Sequence, residues 1–201
     1  MGRLRSGTYG PLVGKLGNVV NYIWRGLNVN RMVSHPSSKP ATLPQLISRK
    51  KFSMSQKFVA PLKDFVAYSF HPETKGQARI PQNAASALFR KHAITGEYPD
   101  FQIDYSKVIV SKGKLPAPVD AQAQLEGDQL SFSWAVNPNW ALRYKTDQVM
   151  MLAYFPDSLT HTGRDGTKIK DTVVETYLAF ISNDRQEASD SIYCGRFSLP
   201  D

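Results

Sequence analysis

The chain of 201 residues predicts an α+β, β-rich fold: an N-terminal β-hairpin plus helices, followed by an antiparallel immunoglobulin/fibronectin III-like β-sandwich. Three observations predict it. Residues 14–33 alternate apolar and polar side chains about a glycine-bearing reversal. A helical stripe with period near 3.6 follows from Ile47 to Phe65. From about Tyr105, short alternating runs recur between turn residues at the spacing of a sandwich. The expected organisation is a basic hairpin-and-helix region, 1–104, and a β-sandwich domain, 105–201.

In the hairpin, Val20, Tyr22 and Trp24 point to one face and Val19, Ile23 and Arg25 to the other, with Arg25-Gly26 as the turn. Gly14 and Gly17 let the incoming backbone bend. Thr42 and Gln45 form a capping-box pattern that opens a helix, and Pro44 is harmless in its first turn. Ile47, Met54, Phe58, Leu62 and Phe65 share its buried stripe, while Pro61 kinks or breaks it near Val59. A second helix is expected from an N-cap at Asn83 to a C′ glycine at Gly96, with Leu88, Phe89 and His92 on its apolar side. Strands are then expected at Lys107–Leu115, Val119–Leu125, Leu130–Trp134, Val149–Phe155, Val173–Ile181 and Ile192–Leu199. Val149–Phe155 is apolar on both faces and reads as a central strand, and Trp134 as a core aromatic between two sheets.

The length suffices for a core without disulfide or metal staples, and a single cysteine, Cys194, excludes an intramolecular disulfide and any multi-cysteine zinc site. The apolar run Val149–Phe155 is far shorter than a membrane helix requires, and no cleavable signal pattern opens the chain. A cytoplasmic location is the default expectation. The formal charge of +8 is uneven: residues 1–100 hold 15 Lys or Arg against 4 Asp or Glu, a net of +11, and the remainder nets −3. Such a contrast suggests different partners for the two parts, or docking of the acidic part on the basic one.

The segment Gly14-Lys15-Leu16-Gly17-Asn18-Val19-Val20, with Tyr22, Trp24, Arg25-Gly26 and Arg31, resembles the N-terminal signature of an uncharacterised bacterial family common in Bacteroidetes. The resemblance continues through Gln45, Arg49, Phe52, Ala93-Ile94-Thr95-Gly96, Phe101, Trp134 and Asp147 to Ser191-Ile192-Tyr193-Cys194-Gly195. It implies kinship and brings no activity, ligand or catalytic residue with it. Pro40, Thr42, Gln45 and Arg49 are also similar to a stretch of some phage or prophage structural proteins.

Catalytic patterns are poorly supported. Gly10 to Lys15 has three residues between its glycines, and Leu16 follows where a phosphate-binding loop requires Ser or Thr. His35, His71, His92 and His161 form no paired ligand motif, and Asp157, His161 and Asp165 read as a solvated turn. Cys194 with His161 as base is a formal nucleophile pair, but the cysteine lies inside an expected strand. No cofactor and no metal are expected. Arg25, Arg31, Arg49, Lys50, Lys51 and Lys57, with Tyr22 and Trp24, have the composition of an interaction surface. The expected function is therefore a non-enzymatic structural or protein-interaction protein with an unidentified protein partner and an open oligomeric state. A nucleic-acid-binding module using the basic half is the alternative. Carbohydrate binding in loops near Trp140 and Tyr144 is the third reading.

Overall fold

The computed structural model describes residues 2–4, 12–35, 38–127, 129–135, 146–156 and 173–198. The chain divides into two compact units, Met1–Thr42 and Leu43–Asp201. The boundary expected between residues 104 and 105 therefore falls inside the second unit.

The first unit is a four-stranded antiparallel sheet of β1 (Gly2–Leu4), β2 (Gly14–Leu16), β3 (Val19–Trp24) and β4 (Leu27–Met32), in the order β1-β4-β3-β2. The expected hairpin is its centre. Arg25 and Gly26 both have positive φ, 49° and 76°, the geometry of a two-residue reversal whose twist matches the strands it joins. Gly17, at φ 56°, makes the corresponding reversal between β2 and β3.

The second unit opens with α1 (Leu43–Val59), directly after Thr42. It ends before Pro61, and α2 (Lys63–Ser69) resumes beyond it, as the missing proline N–H requires. After the single turn α3 (His71–Thr74), α4 runs Pro81–His92. Its start lies two residues before the expected cap at Asn83, because Pro81 at the first turn already supplies helical φ. His92 is exposed rather than on the apolar side. Gly96, at φ 83°, serves the hairpin of β5 (Ile94–Thr95) and β6 (Gln102–Ile103) rather than a helix terminus.

Two further antiparallel sheets follow. β7 (Val119–Glu126) pairs with β8 (Gln129–Ala135), and β9 (Gln148–Tyr154), β10 (Val173–Ile181) and β11 (Ile192–Ser198) form a sheet in the order β11-β10-β9. The centre is β10, almost wholly buried, and β9 is an edge strand. The unbroken apolar run of β9 misleads because Met151 and Ala153 face solvent, whereas polar Glu175 and Thr176 on β10 are covered. Lys107–Leu115 is no strand. It is a short 3-10 turn, Tyr105–Lys107, and an irregular segment held by side chains: Ser191 Oγ accepts from Val110 N (3.0 Å) and Asp190 Oδ1 from Gly113 N (3.1 Å).

One core joins helices and strands. Phe58 stacks on Phe89 with centroids 4.6 Å apart, and Tyr154 lies 4.6 Å from Phe58. Val66, Phe70, Val108, Val110 and Tyr177 belong to the same cluster. Tyr177 Oη donates to Tyr105 O (2.9 Å), so the buried hydroxyl keeps a partner. Phe180, on the opposite side of β10 by alternation, meets half-buried Trp134 edge-on at 6.0 Å.

Candidate functional site

Cross-strand register sets the faces of the first sheet. Val20 lies opposite both Lys15 and Arg31, and Tyr22 lies opposite Val29. Residues directly opposite share a face, so Lys15, Arg31, Tyr22 and Trp24 converge on one side. The other side carries Leu16, Val19, Ile23 and Met32 beside Asn21, Asn28 and Asn30. Leu16 is 72% exposed and Met32 70%. Residues 1–42 contain six Lys or Arg and no Asp or Glu, a signal legible in the sequence once counted by unit rather than by half.

The six basic residues singled out from the sequence are thus divided. Arg25 and Arg31 belong to the first unit, whereas Arg49, Lys50, Lys51 and Lys57 stand on α1. Arg49, Lys50 and Lys57 are exposed, and Lys50 and Lys57, seven residues apart, share one side of the helix. Lys51 is partly buried, with its Nζ 4.9 Å from the centre of the Phe101 ring.

On the Lys51 side, a groove of about 380 Å³ is lined by Leu43, Pro44, Ile47, Ser48, Lys51 and Arg90. Helical spacing places Leu43, Ile47, Lys51, Ser55 and Phe58 along one stripe. Its C-terminal part is buried: Ser55 and Ser86 share a 2.9 Å hydrogen bond, and Phe58 stacks on Phe89. Its N-terminal part opens into the groove, where Leu43 is 57% exposed. Arg90 crosses the rim with its guanidinium 5.6 Å from the Phe52 ring centre.

A second, polar cleft of about 390 Å³ lies between the β5-β6 hairpin and the β10-β11 edge. At its base Glu175 is only 1% exposed, accepts from Tyr193 Oη (2.7 Å) and stands 3.6 Å from Arg196 Nε. Burial, then the hydrogen bond to Glu175 and its charge, push the Tyr193 phenol well above its ordinary value. Asp104 at the rim is held below the usual carboxylate range, chiefly by Lys107 at 2.7 Å and then by Ser106. Every charged group named here is compensated, which describes a stabilising network as well as it describes a binding cleft.

Cys194 is the extra residue of a bulge, since Thr176 pairs with Gly195 and Tyr177 with Tyr193. Burial raises its thiol pKa, which suppresses the thiolate that nucleophilic chemistry requires. Its conjectured base His161, together with Asp157, Asp165, Trp140 and Tyr144, lies outside the described residues. Among the described residues, no group of three His, Cys, Asp or Glu is placed to hold a metal ion, and no helix is long and apolar enough to cross a membrane.

Fold and surfaces together define a β-rich α+β protein with, among the described residues, several antiparallel sheets and four helices, which leaves ordered apolar and basic surface exposed. The model of a family of unknown function, DUF6266, matches residues 10–162, and the chain belongs to that family. No curated protein and no solved structure matches it.

Proposed function

We propose that the protein is a non-enzymatic interaction module acting through protein–protein contacts. The observation that carries this reading is the exposure of large apolar side chains on regular elements: Leu16, Ile23 and Met32 clustered on one face of the first sheet, and Leu43, Leu46 and Phe52 on α1. Single exposed apolar residues are ordinary, but clusters on ordered elements are costly unless a partner covers them. A photo-crosslinking residue placed at Phe52 or Leu16 in native cells is expected to give discrete protein adducts, and one placed at exposed Gln129 none. Turnover of a defined substrate that is lost on changing Glu175 or Tyr193 would overturn the reading. The likeness of Pro40, Thr42, Gln45 and Arg49 to phage structural proteins supports an assembly setting for such a module. The finer description of β7–β11 as an immunoglobulin- or fibronectin-like sandwich belongs to the same proposal, supported by Trp134 meeting Phe180 between two sheets.

A second reading, nucleic-acid binding, is favoured by the acid-free first unit, where Lys15 and Arg31 flank Val20 on the face that also carries Tyr22 and Trp24. Cations for phosphates and rings for bases are the parts of a single-strand platform. It predicts oligonucleotide affinity that falls steeply with salt and is lost in Arg31→Glu/Trp24→Ala. Affinity unchanged by that double substitution would remove this reading.

A further inference from the structure

We infer that the groove at the start of α1 receives an acidic segment of a partner protein, with apolar side chains seated on Leu43 and Ile47 and carboxylates meeting Lys51 and Arg90. This deepens the interaction reading and rests on it. Large apolar side chains recur along this side of α1, past Lys51, beyond the stretch that the core covers. Ser55 and Phe58 are buried, whereas Ile47 and Leu43 line open volume on the same side. A solvated helix has no physical reason to keep such a stripe, and a helix that is covered does. The groove, about 380 Å³, is at the small end of binding pockets, which suits a few anchoring side chains of one segment rather than a domain face.

Charge specifies the occupant. No Asp or Glu occurs from Leu43 to Lys63, against five Lys or Arg. Lys51 and Arg90 at the rim form no ion pair with a carboxylate among the described residues, although Glu97 and Asp100 shortly precede Phe101. Both cations are instead held over rings, Lys51 on Phe101 and Arg90 on Phe52. Ring contacts restrict these long side chains before any partner arrives, which lowers the ordering cost of pairing them with carboxylates. Apolar anchors then supply most of the affinity, and the two cations set orientation and association rate.

The test is selection of random peptides of about twelve residues displayed on phage against the full chain, a length that spans a groove of this kind. The expected consensus has two large apolar residues within one helical turn, flanked by Asp or Glu. A synthetic peptide of that consensus should bind roughly tenfold more weakly to Lys51→Glu/Arg90→Glu. Ile47→Asp should abolish binding, and Lys75→Glu should leave it unchanged. Circular dichroism of each variant confirms that loss is not unfolding. A neutral or basic consensus, affinity indifferent to the charge reversal, or displacement of the peptide by oligo(dT) would each overturn the inference. If crosslinks at Phe52 persist alongside such a result, the acidic partner is wrong while the interaction reading stands. If no peptide is selected and no crosslink forms, both fall.

Discussion

At Gly113 the backbone passes so close to the segment at Ala188 that an added Cβ would lie 1.9 Å from the Ala188 carbonyl oxygen. The glycine is required by contact, since its φ lies outside the positive range. Gly113→Ala is therefore expected to destabilise the second unit by about 1–3 kcal/mol, the usual cost of overpacking a site whose neighbour is backbone. Urea unfolding measures it, and an unchanged midpoint would show that the irregular segment can shift. Glu175 poses the same question for a charge. Tyr193 Oη donates to a carboxylate that is almost wholly buried. Tyr193→Phe should cost about 1–3 kcal/mol, because one carboxylate oxygen then loses its donor without gaining water. Removal of a merely solvated hydroxyl would cost nothing measurable.

The reversal of β3 into β4 depends on two consecutive residues of positive φ, of which Gly26 is the permissive one. Gly26→Ala should weaken the hairpin by about 1–2 kcal/mol, the penalty of left-handed backbone for an L-residue. Faster amide exchange across β3 and β4 is the expected readout. This reversal was legible from Arg25-Gly26 between alternating runs, and the end of α1 from Pro61. The start of α4 departs from the expected one because Asn83 is a good cap and Pro81 a good first-turn residue, and local chemistry alone does not rank them. Lys107–Leu115 looked like a strand because Val108 and Val110 alternate with other side chains. Both are indeed buried, but the segment's backbone is held by scattered bonds, Val110 N to Ser191 Oγ, Gly113 N to Asp190 Oδ1 and Lys112 N to Ser69 O, and not by a strand ladder.

Across the second unit, α1 and α4 share one core with β9 and β10, so its helices and strands should lose stability together. Phe89→Ala, which empties space beside Phe58, itself packed on Tyr154, is expected to cost about 3–5 kcal/mol. Hydrogen exchange should accelerate in β10 as much as in α4. Protection of β10 that survives the substitution would instead support separate helical and β domains. The charge contrast also acquires a location. Lys107–Asp104, Lys112–Asp190 and Arg196–Glu175 pair within the half that nets negative, and among the described residues no Lys or Arg of α1 pairs with a carboxylate. The basic residues of α1 remain available to a partner on this reading.

The amino-acid order alone determined what neighbours along the chain decide: the Arg25-Gly26 hairpin, the interruption at Pro61, the β7-β8 hairpin and the basic character of the first hundred residues. Each rests on turn stereochemistry, side-chain alternation or counting, all local properties. Only the tertiary structure decided which strand is central, since the burial of Glu175 and Thr176 comes from elements distant in sequence that pack on both sides of β10. It likewise decided where the core ends along α1. The sequence reads an apolar stripe from Ile47 to Phe65, yet only contact with α4 and the strands separates its buried part from Ile47, which is left open with Leu43 beside Lys51 and Arg90.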